Sequence, residues 1–350
     1  MKIQTNEAIP SDHFDVSVII CTYNRSDLLP KALENILSQK SGDVSYEVII
    51  VDNNSTDRTR QVCDSFLSQS RVSLRYIFEG KQGISYARNT GIATARAPIL
   101  AFTDDDVYVS EDWVARIKQA FDNYPGADAV GGKVLPEWET DPPRWLTREH
   151  WAPLALLDFG DSPLSVSARN PICLIGANFA FRREVFDHVG LFAPALQRVK
   201  GSIGSMEDHE LLVRLWQKNR QAIYLPDLVV MAEVQPERVT KQYHRTWHMG
   251  HGHFYAIMRE EEFERSGARL FDVPAHLYKQ ALVNSLKFIK HSLFSNDESA
   301  FVYETQLRFF MGFFMTRREE FLASNNRGIL REVASFVRSL VLSKEPHKAR

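Results

Sequence analysis

Apolar and polar positions alternate in blocks along the first third of the chain. Four runs rich in β-branched and aliphatic residues, Val16 to Cys21, Tyr46 to Val51, Leu74 to Phe78 and Ala97 to Thr103, are nearly continuous rather than alternating. Such runs suit strands buried on both faces. After the first run, Leu28, Leu29, Ala32, Leu33, Ile36 and Leu37 recur at helical spacing, with Ser26 placed as N-cap and Pro30 in the first turn. Ser55 or Asp57 is placed to cap a second helix ending near Leu67, and a third carries Ala87, Arg88, Asn89, Gly91 and Ile92. Strands and helices in this rhythm predict an α/β fold with a mostly parallel sheet flanked by helices.

In such a fold the ligand loops lie at the carboxyl ends of the strands. The polar clusters fall there: Thr22-Tyr23-Asn24-Arg25, then Asp52 with the turn behind it, then Gln82, Gly83 and Arg88, and last Asp104, Asp105 and Asp106. Three consecutive carboxylates repel one another unless something positive faces them, and hard divalent cations favour carboxylate oxygen. Each residue also has a plain structural use. Asp52 suits capping the following turn, and Arg88 suits a solvated helix face. A G-x-G-x-x-G after the first strand and a P-loop are both lacking, so dinucleotide binding has no support.

The 350 residues suffice for one large or two modest domains. A formal net charge of -2 gives no general reason to expect nucleic acid as a partner. Three widely separated cysteines, Cys21, Cys63 and Cys173, argue against a disulfide framework and fit a reducing cytosol. The N-terminus lacks the apolar core of a signal peptide, and no apolar run reaches the roughly 18 residues of a membrane span.

The first four motifs, Val-Ile-Ile-Cys-Thr-Tyr-Asn-Arg (18 to 25), Ile-Ile-Val-Asp-Asn-Asn-Ser-Thr-Asp (49 to 57), Gln-Gly-Ile-Ser-Tyr-Ala-Arg-Asn-Thr-Gly-Ile (82 to 92) and Phe-Thr-Asp-Asp-Asp (102 to 106), together resemble the family-2 glycosyltransferases. The resemblance continues through Gly-Ala-Asn-Phe-Ala-Phe-Arg-Arg-Glu-Val-Phe (176 to 186) and Glu-Asp-His-Glu-Leu-Leu-Val-Arg-Leu (207 to 215), reaching about Gly250. It implies a Rossmann-like GT-A fold and inverting transfer of a sugar from a nucleotide-diphosphate donor to a hydroxyl on a saccharide or lipid-linked acceptor. The setting it implies is surface polysaccharide or glycolipid synthesis, in the cytoplasm or at the inner face of the membrane. It implies that the backbone of Thr22 and Tyr23, with Asp52, holds the nucleoside. Arg88 then helps hold nucleotide or diphosphate, Asp104 lies at the ribose, Asp106 binds Mg²⁺ or Mn²⁺, and Asn24, Arg25, Gln82, Gly83 and Asp105 join them in the donor site. Asp208 becomes the general base, on a different loop from Arg88, so donor binding and chemistry are expected to separate. Without the resemblance, Glu207 and Asp208 read as acidic residues favoured by a helix start.

A departure stands at Ala232-Glu233, where family members often carry histidine; the contact that histidine makes is either absent here or supplied by Glu233. Between Gly131 and Asn170 the regular pattern gives way to tryptophans and prolines, an expected acceptor-side loop. Gly201 to Ser205 reads as a loop able to close over substrate. The catalytic domain is expected over 1–235, with a nucleotide-sugar half to about 130 and an acceptor half from 131, followed by a helical region over 236–350. His244, His248, His251 and His253 read as packing or surface residues ahead of a metal patch. From Thr305 to Arg350 nine Lys and Arg stand against four Asp and Glu, with phenylalanines among them. That suits either an anionic membrane surface or packing on the rest of the protein, including a second subunit in a homodimer. Three rivals fit less of the sequence: a nucleotidyltransferase, which needs a Gly-rich phosphate loop, a non-catalytic nucleotide-sugar-binding protein, and a membrane-surface assembly factor.

Overall fold

A computed structural model describes residues 3–5, 13–197, 206–265, 267–294 and 297–324. They form two compact units. One comprises Met1–Asp141, Leu154–Gly201 and Glu207–Pro236; the other takes Pro142–Pro153, Ser202–Met206 and Glu237–Arg350.

The first unit is built on one large sheet. Its parallel part is β2 (Val16–Thr22), β3 (Tyr46–Asp52), β4 (Ser73–Phe78) and β5 (Ile99–Asp104), in the spatial order β4-β3-β2-β5, with β1 (Ile3–Thr5) antiparallel on the outer edge of β4. Between them run α1 (Leu29–Leu37), α2 (Thr59–Gln69) and α3 (Ile84–Thr94). All seven residues of β2 and of β3 are buried, as continuous apolar runs require. After β5 come β6 (Val107–Val109), α4 (Trp113–Asn123), β7 (Ala129–Trp138), β8 (Leu164–Val166), β9 (Phe179–Arg182), the short α5 (Val185–Val189), α6 (Glu207–Gln217) and β10 (Ala222–Val234). The sheet continues from β5 as β9-β7-β10-β6, with β9 antiparallel to both its neighbours and β7 parallel to β10. Phe102, Phe179, Phe181 and Phe192 meet edge to face where the parallel and mixed halves join, with Phe102 and Phe179 centroids 5.3 Å apart.

The chain steps outward from β2 to β4 and then returns to place β5 on the other side of β2. That reversal opens a crevice between the carboxyl ends of β2 and β5, where Cys21 pairs with Asp104. Two local expectations are corrected here. Ser26 does not cap α1, because its backbone N–H donates to Asp57 at 3.0 Å and the helix begins only at Leu29. Residues 131–138 are not irregular: they continue β7 and pair with β10.

The second unit is built from α7 (Lys241–Met258), α8 (Ala275–Leu293) and α9 (Asp297–Ser324), with a small antiparallel pair, β11 (Arg269–Leu270) and β12 (Val273–Pro274), between α7 and α8 in sequence. Ala256, Val273, Leu277, Phe310 and Phe313 form its apolar centre. The α7–α9 crossing is close because both helices present glycine. A Cβ on Gly252 would stand 2.0 Å from the Phe309 carbonyl oxygen, and a Cβ on Gly312 only 1.9 Å from that of Met249. The Phe-rich run of the tail is therefore mostly interior: Phe310 and Phe313 are buried, and Phe309 and Phe314 pack beside them. The rest of the tail, 325–350, lies outside the described residues. Among the described residues no helix is long and apolar enough to cross a membrane.

Candidate active site

The loops at the carboxyl ends of β2, β3 and β4 are laced to one another by short polar side chains. Asn24, at φ 52°, accepts the Thr56 N–H at 2.7 Å through its side-chain oxygen and donates its own N–H to the Ser55 hydroxyl at 2.9 Å. Asp57 accepts from Ser26 and from Thr59. Burial opposes its ionisation, yet these donors outweigh that and hold its carboxyl down at about 2. Asp52 is buried, with the Tyr76 hydroxyl on one oxygen at 2.7 Å and the Ser55 N–H on the other at 2.9 Å, so it anchors the turn it precedes. Asn53 joins the β3 loop to the β4 loop, donating to the Lys81 carbonyl and accepting the Gly83 N–H, both at 2.7 Å. Gly83 has φ 137°, and a Cβ there would run into the buried Gln197 side chain, whose amide oxygen accepts the Ser85 N–H at the start of α3. Tyr23 and Gln82 are half-buried on this rim.

At the end of β5 the three aspartates are not equivalent. Asp106 accepts from the Arg25 guanidinium at 3.3 Å and from the Gln235 amide at 3.4 Å. Removal from water pushes the Asp104 carboxyl up to about 6, with Asp106 and Asp208 adding repulsion against the pull of Arg88 and Arg25. Burial likewise pushes Asp105 up to about 7, reinforced by Asp106 and opposed by Arg25 and the Thr22 hydroxyl. Burial alone would lower Arg25, but Asp105, Asp106 and Asp104 together hold it above its ordinary value. Burial and mutual repulsion thus disfavour ionisation of Asp104 and Asp105, and positive charge placed beside them would be stabilised.

Arg88 is the second cation. It is buried in α3 and paired through Nη1 with Glu207 at 3.3 Å and with Asp208 in a short contact, both at the start of α6. Desolvation works against its charge, and Asp208, Glu207 and Asp104 more than restore it. The remaining Asp208 oxygen accepts the Gly176 N–H at 2.8 Å. A Cβ on Gly176 would lie 1.9 Å from Arg88 Nη2, so a side chain there would push the guanidinium away from its two carboxylates. Arg88 is thus neither a solvated helix residue nor independent of Asp208; the two are ion-paired, which sequence separation had concealed.

The structure brings Thr22, Arg25, Arg88, Asp104, Asp105, Asp106 and Asp208 into one electrostatic neighbourhood. It leaves Glu233 to one side, with its carboxylate on the Tyr108 hydroxyl and Lys31, while Gln235 two residues on reaches Asp106. Asn53, Tyr76, Gln197 and Gln235 carry the scaffold without having been singled out in the sequence. Only Asn53, next to Asp52 at a strand end, had a signal that pointed to it. The closing loop expected over Gly201 to Ser205 lies outside the described residues.

Among the described residues no group of three or more His, Cys, Asp or Glu side chains is arranged to hold a metal by itself. The site's chemistry still fits a hard divalent cation. Mg²⁺ and Mn²⁺ take one or two carboxylates and fill the remaining positions with phosphate and water, and the aspartates at the end of β5 are short of positive charge. The histidines of the second unit have other partners. His244 lies edge-on to Trp145, and His251 stacks on Trp247 at 4.3 Å. His253 meets the Thr316 hydroxyl at 2.8 Å.

A mostly parallel sheet with a strand-end carboxylate cluster at its reversal point fits the GT-A fold. Residues 17–190 match the model of Glycosyl transferase family 2, and this stretch of the chain belongs to that family. Among curated relatives, the glucosyl-dolichyl phosphate glucuronosyltransferase of Haloferax volcanii is 32% identical over 177 residues, covering 50% of this chain and 55% of that protein. Glycosyltransferase AglE of the same organism is 34% identical over 178 residues, with 51% and 55% covered. The chain thus spans about half the length of the curated relatives it matches. In fold, it is similar to S. aureus TarS 1-349 in complex with UDP (TM-score 0.51, 17% identity, 90% of this chain and 93% of that one). It is also similar to the mannosyltransferase PcManGT from Pyrobaculum calidifontis in complex with GDP-Man and Mn²⁺ (TM-score 0.51, 19% identity, 97% and 84%).

Proposed function

We propose that the protein is an inverting, divalent-cation-dependent glycosyltransferase. It takes a sugar from a nucleoside diphosphate and delivers it to a hydroxyl of a saccharide or lipid-linked saccharide, in surface polysaccharide or glycolipid assembly. The observation that carries this reading is the sharing of Arg25 and Arg88 among Asp104, Asp105, Asp106, Glu207 and Asp208 at the β2–β5 crevice. The laced rim offers the backbone of Thr22 and Tyr23 to the nucleoside, and Asp52 supports it by fixing the turn over 53–57. Asp104 and Asp105 face the ribose. Asp106 would hold the cation, which when bound would offset charge on the departing diphosphate. Asp208, oriented by Arg88 and the Gly176 N–H, takes the acceptor hydroxyl proton through a lone pair those donors leave open. One carboxylate is enough, because a direct displacement forms no covalent intermediate. The dolichyl phosphate in a relative's name favours a lipid-linked acceptor.

Titration calorimetry of nucleoside diphosphates with Mg²⁺, Mn²⁺ or a chelator tests the donor half. Affinity is expected only with the cation, and Asp106→Ala is expected to erase the difference. Equal affinity in chelator would sink the metal assignment. Transfer rate and donor affinity measured on Asp208→Asn test the other half: turnover should fall by roughly 10² to 10⁴.

A further inference from the structure

Helix α8 is turned inside out relative to a core helix. Of its 19 residues only Leu277 is buried. Leu282, Leu286, Ile289 and Leu293, at spacings of four, three and four, are 62%, 61%, 52% and 76% exposed, and Phe294 just beyond is 77% exposed. These positions form one stripe about 16 Å long at 1.5 Å per residue. Lys279 and Lys290 are exposed beside it, Lys287 is exposed further round with its Nζ over the Tyr303 ring at 5.2 Å, and no Asp or Glu occurs between Ala275 and Phe294. The other side of the helix is already engaged, with Leu277, Tyr278 and Ala281 against the centre of the second unit. Lone exposed leucines need no explanation, but a continuous apolar stripe with a one-signed edge does.

We propose that α8 is a docking surface for an anionic lipid bilayer, lying in the interface with its stripe in the acyl boundary and its lysines at the headgroups. Charge selects this occupant. A second copy stacked through α8 would set lysines against lysines. Residues 325–350 carry six Lys and Arg against two Asp and Glu, so they too share the sign of the helix. An anionic headgroup layer is the complement of both the edge and the stripe. The lipid contact expected of the tail phenylalanines thus moves to α8, since Phe310 and Phe313 are interior. The helix lies outside the residues matched by the family model, so this is a property of the chain's own second unit. It stands whether or not the sugar-transfer reading holds.

Flotation of the full-length protein with phosphatidylcholine vesicles, with and without phosphatidylglycerol, tests it. Binding is expected only with the anionic lipid and should weaken as salt rises. The double variant Lys287→Glu/Lys290→Glu should bind on the order of tenfold more weakly or worse, given about 1 kcal/mol per basic residue at an anionic surface. Leu286→Ser/Ile289→Ser, also exposed and so expected to keep the melting temperature, should be released by salt that the parent survives. A parent that stays with the soluble fraction overturns the proposal. So does a parent that sediments as a dimer which Leu286→Ser/Ile289→Ser dissolves, because the stripe would then belong to a second copy. Unaltered vesicle binding in both double variants would equally exclude α8.

Discussion

At the scale of single residues, Arg88 decides most of what the site can tolerate. It is enclosed with two carboxylates, and a third, Asp104, is close enough to be felt. Arg88→Met keeps the apolar stem but leaves the buried Glu207 and the half-buried Asp208 without their cation. Breaking such a group from one side costs about 3 to 5 kcal/mol, far more than an exposed pair is worth. Denaturant titration should show that loss in stability, and a midpoint close to the parent's would mean that the carboxylates find other partners. Asp208→Asn differs in kind. Arg88 keeps Glu207, and the amide retains much of the geometry, so the fold should survive while turnover collapses. A melting temperature that falls along with the rate would recast Asp208 as a structural residue. Glu207→Gln separates the two further: it removes a buried partner of Arg88 without touching the proposed base.

Among elements, the parallel strands were legible because their side chains have nowhere to go but inward, so Val16 to Cys21 and Tyr46 to Val51 read as strands from composition alone. The Asp triplet was legible as a site for a similar reason, since like charges at a strand end ask for a partner. What could not be read was pairing over distance. Nothing local to Arg88 announces Asp208, 120 positions later, and nothing in Glu233 says that Tyr108 claims it while Gln235 turns to Asp106. The run in α9 left two readings open for another reason. Phenylalanines on several sides of a helix suit an exposed surface or a packed one alike until two neighbouring helices are seen to enclose them. The α7–α9 crossing supplies a test, because each glycine meets backbone rather than a yielding side chain. Gly252→Ala and Gly312→Ala should each destabilise the protein by about 1 to 3 kcal/mol through overpacking, measured by thermal unfolding. A gain in stability from better helix propensity would show that the helices can move apart freely.

For the whole molecule, the two units should answer acid differently. In the second unit His244 and His248 are pushed down to about 3 and 4, chiefly by burial, with the His150 ring adding to both. Trp145 and Phe301 close over His244, with ring centroids at 5.1 and 6.2 Å. His150 is itself lowered by burial, with Lys241 on the same side of the balance and Glu149 and Glu298 against it. Histidines kept neutral in the fold take up protons in the unfolded chain from about 6.5 downward. Stability from this source is therefore intact above pH 7 and is lost as pH falls from 6.5 towards 4. At pH 5 it amounts to about 2 kcal/mol for each of His244 and His248. Tryptophan fluorescence should register it, since Trp145 and Trp247 flank these rings, and His244→Phe should flatten the acid limb. An unfolding midpoint that does not move between pH 7.5 and pH 5 would contradict it.

The laced rim bears on how such a protein can change over generations. The side chains of Asn24, Ser55 and Asp57 tie the rim together by accepting from backbone N–H groups of the neighbouring loop, so replacing any of them loosens the loop it holds. Where the rim holds the nucleoside as proposed, a lineage drifting towards a different nucleoside cannot change these positions without passing through weakened intermediates. Donor preference should then stay fixed over long stretches of descent and shift abruptly, with covariation among Asn24, Ser55 and Asp57 as its trace.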